Sequence, residues 1–225
     1  AAQLGLNAPE ELAFENDHIY SPGEPQHRLG FSEVVARAYL EQVSLSATGF
    51  YRTPNIHFDK ASGKGRPFHY YAYGAAVSEV EVDGFSGQWR LLAVDIVHDV
   101  GESLNPLVDR GQIEGGFVQG MGWLTTEELV YDDRGRLRTH APSTYKIPTC
   151  SDVPEDFRTT LWASKGNREK TIYSSKAVGE PPLMLGISAF HAIRDAIATA
   201  EQPLPKLQAP ATPEAVLCAI QGGQL

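Results

Sequence analysis

The spacing of hydrophobic and polar positions changes several times along the chain, and the changes mark its elements. Val80 and Val82 alternate with Glu79, Glu81 and Asp83, the period of two that belongs to a strand with one wet face. Leu91 to Val97 is more continuously apolar and reads as its more central partner. Asp83-Gly84-Phe85-Ser86-Gly87 is the turn between them, so residues 67–83 and 88–100 are predicted as the best-defined hairpin. A smaller hairpin is predicted over Leu12 to Tyr20, turning at Glu15-Asn16-Asp17. Val34, Val35, Ala38 and Tyr39 keep to one side of a 3.6 period behind Ser32, which predicts a helix with Ser32 as its N-cap. Leu185, Ala189, Ile193 and Ile197 recur at fours and make Leu183–Ala200 the strongest helix. Residues 43–58 are rich in β-formers. Glu127–Arg138 reads as a hairpin turned at Asp132-Asp133-Arg134-Gly135, Pro142–Pro148 as extended, and Phe157–Trp162 and Thr171–Tyr173 as strands. A last short helix is predicted from Pro213, capped by Thr212.

One predicted helix departs from this pattern. From Asn105-Pro106 to about Trp123 it contains Gly111, Gly115, Gly116, Gly120 and Gly122. Each interior glycine costs about 1 kcal/mol relative to alanine, so the five need a reason. One reason is close packing against another backbone, which the pattern alone favours; the other is close approach of a ligand.

Hairpins outnumber strand–helix–strand units. The fold class expected is therefore α+β, with mixed or antiparallel sheets and packed helices, rather than a doubly wound parallel sheet. Residues 1–225 form the region considered, with a division into two lobes near residues 101–105 as one option.

Composition narrows the function classes. A hydrophobic fraction of 42% suffices for a real core. The net charge of -9 argues against sequence-independent nucleic-acid binding. No apolar run is both long and charge-free enough to span a bilayer, and Leu183–Ala200 carries His191, Arg194 and Asp195. Cys150 and Cys218 form no CxxC pair, so neither a zinc knuckle nor an iron–sulfur cluster is expected here. Two lone thiols and no visible signal peptide fit a reducing, cytoplasmic setting. The seven histidines make no HxxxH or HExxH pair, and GxSxG and GxGxxG are both absent. Lys60 to Gly65 lacks the GxxxxGK[ST] pattern and reads as a solvated turn. The opening Ala-Ala-Gln-Leu-Gly-Leu has no Met and reads as the end of a helix already in progress, so a fragment of a longer polypeptide is expected.

Candidate chemistry centres on Ser174 to Leu183. Glu180 stands between Gly179 and the pair Pro181-Pro182, at a stiff junction into the long apolar run. Two roles are open to it. It could be an acidic helix cap near the positive end of a dipole, which spacing alone favours. It could instead be a general base, given dry surroundings and a suitable pKa. Gln112, on the glycine-rich helix, has an amide that both donates and accepts.

Five motifs carry a family resemblance. They are Val43 to Tyr51, Asp95 to Gly101, Gly111 to Gly120, Pro142 to Pro148 and Ser175 to Leu183, occurring in that order. Together they closely resemble the molybdenum-cofactor subunit of the xanthine dehydrogenase (xanthine oxidase) family, and most of all its bacterial type, in which that subunit is a separate chain. The resemblance runs from about residue 30 to residue 200.

The resemblance implies the C-terminal half of a molybdopterin-binding domain that hydroxylates hypoxanthine and xanthine to urate, with water as the oxygen source. Glu180 falls on the family's catalytic glutamate, a general base toward a molybdenum-bound hydroxyl. Gln112 falls on a glutamine whose amide contacts the molybdopterin, which turns the glycine-rich helix into a place where backbone approaches cofactor. The family's metal is held by the pterin dithiolene and by non-protein ligands, so no side chain here is implied as a metal ligand. Its other cofactor loop and its substrate-gripping arginine, glutamate and two phenylalanines lie upstream of this chain, so the chain alone is expected to be inactive. Implied partners are the rest of the molybdenum subunit, an iron–sulfur/FAD subunit with [2Fe–2S] clusters and FAD, and a purine substrate. The resemblance leaves NAD or oxygen as the acceptor and implies an assembly that pairs two catalytic units; neither nucleic acid nor membrane is expected as a partner. An aldehyde oxidase-type hydroxylase and a non-catalytic assembly module are the alternatives.

Overall fold

The computed structural model describes residues 11–199 and 201–222. The predicted helix end at residues 1–6 lies outside them. The chain divides into two compact units, one up to Pro54 and the other from Asn55 onward. Residues 101–105 fall inside the second.

The first unit holds a small antiparallel sheet of β1 (Ala13–Glu15), β2 (His18–Tyr20) and β3 (Arg28–Gly30), in that order. Asn16 and Asp17 turn the first hairpin at φ of 49° and 59°, the left-handed pair that suits a two-residue hairpin loop. β3 runs straight into α1 (Phe31–Leu40). The helix is predicted correctly, but its N-cap is Gly30, extended and without a side-chain cap, and not Ser32, which falls inside the first turn. Residues 43–56 form no strand. Their β-formers meet no partner edge, and β-propensity acts mainly through neighbouring strands.

In the second unit, β4 (His57–Asp59) and β5 (Lys64–Arg66) make a short hairpin. Its turn is the solvated Lys60–Gly63 segment, held by the Asp59 carboxylate accepting from the Ala61 and Ser62 amides. The main sheet has the order β6 (Gly74–Val82), β7 (Trp89–His98), β8 (Asp156–Leu161). β6 and β7 pair antiparallel as predicted, while β8 joins β7 in parallel. β7 is central, in keeping with its continuous apolar run. The Asp83 carboxylate organises the β6–β7 turn by accepting from the Phe85 amide and the Ser86 hydroxyl.

Three helices complete the unit: α2 (Pro106–Thr125), α3 (Ile187–Ala196) and α4 (Pro213–Ile220). Helices and small mixed sheets together make the α+β class expected. Ile113, Phe117 and Met121 of α2 form one core cluster with Leu91, Val94, Ile96, Val100 and Ala189. Ile193, Ile197, Ala211, Val216 and Ala219 form a second. The Thr212 hydroxyl caps α4 by accepting from the Ala215 amide, as predicted.

Several predicted elements differ. Leu183–Ala200 is not helical from its start: Pro181–Gly186 is a 3-10 segment, and α3 begins at Ile187. Thr171–Tyr173 is no strand; Ile172–Ser174 is a 3-10 turn with Tyr173 at φ 51°. The Thr171 and Ser175 hydroxyls bond to nearby carbonyls there, an arrangement that competes with strand pairing. Pro142–Pro148 contains a turn, in which the Thr144 and Tyr145 amides donate to the Ala141 carbonyl. The Glu127–Arg138 turn forms, but its pairing is reduced to the bridge Tyr131–Leu137.

Candidate functional site

α2 starts where its sequence says it should. The Asn105 side chain accepts from the Leu107 and Val108 amides at 3.2 and 3.3 Å, and Pro106 occupies the first helical position, where no donor is lost. Its glycines are of two kinds. A Cβ on Gly120 would overlap the Leu183 carbonyl, one on Gly116 would lie 3.1 Å from Cβ of Pro182, and one on Gly122 would meet the Pro148 ring at 2.6 Å. These three serve protein packing, chiefly against the 3-10 segment. Gly111 and Gly115 have nothing within 4 Å of an added Cβ. They face open space.

Gln112 and Gly115 are three residues apart and so share a helix face. On that face Gln112 meets Gly179, the residue next to Glu180. A Cβ on Gly179 would lie 3.3 Å from Oε1 of Gln112, so the Gln112 amide rests against the backbone that leads into Glu180. The site is therefore a corner of chain, Gly179-Glu180, laid beside the exposed face of a glycine-rich helix.

The acidic-cap role for Glu180 fails on geometry. A cap needs a free amide at the second or third helical position. Here the first two positions are prolines, and the Leu183 amide donates to the Glu180 backbone carbonyl at 3.0 Å. The carboxylate makes no cap hydrogen bond. The expected dipole is also displaced, because a six-residue 3-10 segment separates Glu180 from α3. Both Glu180 and Gln112 are exposed.

Sequence reasoning missed how that corner is held. The Lys176 ammonium donates to Oδ2 of Asp99 at 2.6 Å and to the Tyr71 carbonyl at 2.9 Å. The Lys176 amide donates to the Val100 carbonyl, and the Ala177 amide to the Tyr70 hydroxyl, both at 2.8 Å. Gly101, at φ 64°, pairs with Ser175 so closely that a Cβ there would lie 3.1 Å from the Lys176 amide. Lys176 and Asp99 both stand inside motifs noted from sequence, but nothing in one dimension pairs them.

Beside Asp99 lies His98, 1% exposed, with Nδ1 unpartnered and Gly74 packed against its ring. Burial pushes the imidazole below its ordinary pKa. Among the described residues no three His, Cys, Asp or Glu side chains are grouped to hold a metal ion. Among the described residues, clefts of about 350 to 640 Å³ include several lined by neither Glu180 nor Gln112. On this chain the corner is an open surface.

The chain is 53% identical over 190 residues to the xanthine dehydrogenase/oxidase of Felis catus, covering 81% of this chain and 14% of that protein. It is 45% identical over 224 residues to the xanthine dehydrogenase of Oryza sativa, covering 94% of this chain and 16% of that one. The chain thus spans about a seventh of the length of these relatives. Among solved structures it resembles the aldehyde oxidoreductase of Desulfovibrio gigas, with a TM-score of 0.60 and 26% identity over 83% of this chain and 20% of that one. Residues 1–154 match the molybdopterin cofactor-binding domain model, a match that takes in Gln112 and stops short of Glu180. With that model spanning more than half its length, the chain belongs to the molybdopterin cofactor-binding domain family.

Proposed function

We propose that this chain is the C-terminal part of the molybdopterin-binding domain of a xanthine dehydrogenase, a molybdenum hydroxylase that converts hypoxanthine and xanthine to urate with water as the oxygen source. The observation that carries this is the meeting of Gln112 with the Gly179-Glu180 corner. Gly111 and Gly115 leave the adjoining helix surface bare, a cradle that side chains at those positions would fill. The residues present therefore fit a flat, polar cofactor. Gln112 would hold the pterin through its amide, which both donates and accepts.

When bound, the molybdenum–molybdopterin cofactor supplies a two-electron oxidant and an oxygen derived from water. Glu180 acts as the general base, taking a proton at a carboxylate oxygen. Its carboxylate makes no cap bond, so nothing in the helix start competes for that oxygen. Pro181 and Pro182 hold the corner, with Pro182 packed on Gly116. The open setting of Glu180 supports the view that upstream parts of the molybdenum subunit close the site, and that this chain by itself is inactive. To the whole protein we assign an iron–sulfur/FAD subunit, with [2Fe–2S] clusters and FAD carrying electrons to NAD or oxygen, and a pairing of two catalytic units. A cytoplasmic setting is supported by the free thiols of Cys150 and Cys218. Identities of 45% and 53% to xanthine dehydrogenases, against 26% and 31% to aldehyde oxidoreductases, favour a purine over an aldehyde.

The test is Glu180→Ala in the full complex, with molybdenum content measured first. A base role requires a loss of more than about a hundredfold in turnover at unchanged cofactor loading. Near wild-type turnover with cofactor bound would leave only an assembly role for this corner.

A further inference from the structure

Four residues before Glu180 stands a buried cation that takes no part in the proton transfer just described. The Lys176 side chain is 8% exposed and that of its partner Asp99 15%. A buried ammonium is tolerated only when it is paired and hydrogen-bonded. Here it has the Asp99 carboxylate, the Tyr71 carbonyl and the Tyr73 ring, whose centroid lies 5.3 Å away. The other carboxylate oxygen of Asp99 accepts from the Gly101 amide at 2.8 Å. One carboxylate thus ties the end of β7 to the segment leading to the site.

Beyond this clamp the chain has three residues before Glu180. Ala177 is fixed through its amide to Tyr70. Val178 packs against the main core cluster. Gly179 lies on Gln112. Glu180 itself has no side-chain cap to hold it, so its place is set by the segments on either side: the two prolines after it and the Lys176 clamp before it.

We propose that Lys176, through Asp99, is a positioning residue for Glu180, holding the Ala177–Gly179 backbone so that the carboxylate is presented at one fixed place beside Gln112. The inference rests on Glu180 being the base. A misplacement of about 1 Å in a catalytic group can cost on the order of a hundredfold in rate, so the clamp should be visible in turnover without contact with substrate.

The test compares Lys176→Met, Lys176→Arg and Glu180→Gln in the full-length, cofactor-loaded enzyme, each with measured molybdenum content. Lys176→Met should lower kcat by about 10- to 100-fold, with KM for the purine changed by less than about twofold. Lys176→Arg keeps the charge and a donor, and should recover most of the loss. Amide exchange supplies a readout free of catalysis: the Ala177–Gly179 amides should exchange about tenfold faster in Lys176→Met and near the native rate in Lys176→Arg. If Lys176→Met does not fold, Tyr70→Phe deletes one hydrogen bond of the same clamp and should show the same pattern at about threefold. Unchanged kcat in a fully loaded Lys176→Met, or unchanged exchange at Ala177–Gly179, overturns the inference. Normal turnover by Glu180→Gln sinks the base assignment and this inference together. An impaired Glu180→Gln beside an unimpaired Lys176→Met sinks the positioning role alone.

Discussion

Helices α1 and α2 behave in opposite ways, and the one with the cleaner apolar stripe is the one that buries nothing. In α1 the stripe of Val34, Val35 and Ala38 is half-buried, while Tyr39 and Leu40 are 74% and 79% exposed. No residue of α1 is buried. In α2, Ile113, Gly116, Phe117, Gly120, Met121, Gly122 and Thr125 are all buried. The spacing of those positions is helical, but nearly half of them are glycine, so hydropathy understates the stripe. An apolar stripe states a need for a partner. How deeply it is met depends on how near the partner's backbone can come, and on α2 glycine sets that distance.

The largest expected effect tests this directly. Gly120→Ala would drive a Cβ into the Leu183 carbonyl. Backbone cannot swing aside as a side chain can, so the variant should lose about 3 kcal/mol, near the upper end for overpacking. Gly116→Ala meets Cβ of Pro182 at 3.1 Å and backbone, the Leu183 amide nitrogen, no closer than 3.4 Å, and should cost less. Urea unfolding of the two variants measures the difference. Equal stabilities would mean that close approach is not why α2 carries glycine.

Legibility in the sequence followed the same division. The β6–β7 hairpin, the α2 start at Asn105-Pro106 and the α4 cap at Thr212 were readable because their causes are local: alternation, turn residues and capping side chains. The β-formers of residues 43–56 misled because a strand needs an edge that lies elsewhere in space. Fourfold spacing predicts one helix over Leu183–Ala200 but does not show that α2 backbone lies against Leu183, inside the 3-10 segment that precedes α3. The glycine pattern on α2 called for a reason without saying which glycines served packing and which faced outward. Gln112 and Glu180 could be named, and their meeting at Gly179 supports the pairing. The Lys176–Asp99 clamp, bridging 77 positions in sequence, could not be seen.

Acid provides a second, weaker handle on the buried region. His98 sits in the core with its pKa held below the ordinary histidine value of 6.5 by burial. The unfolded chain therefore binds that proton at a higher pH than the folded chain does. Stability from this site is fully present above about pH 6.5 and falls as the pH drops below it, by at most about 1.4 kcal/mol per pH unit. Replacing His98 with Gln, which takes up no proton in this range, should flatten the fall between neutral pH and about pH 5. A stability–pH slope identical to wild type would show that His98 is not what couples this core to acid.

The smallest effects separate the exposed face of α2 from α1. Nothing approaches Gly115, so Gly115→Ala should gain up to about 1 kcal/mol from helix propensity alone. Tyr39→Ser on α1 removes a largely exposed ring and should stay within about 0.5 kcal/mol of wild type. Both are surface changes by stability, yet they should part in the full enzyme. Gly115 shares its face with Gln112, and if that bare surface is kept for the pterin, Gly115→Ala should stabilise the fold while lowering molybdopterin content. Tyr39→Ser carries no such expectation. Thermal melting beside pterin and molybdenum analysis of the purified complex reads both quantities at once. A Gly115→Ala enzyme that is more stable and fully loaded would show that this glycine is not what admits the cofactor, and would leave Gln112 and Gly111 as the features of that face tied to it.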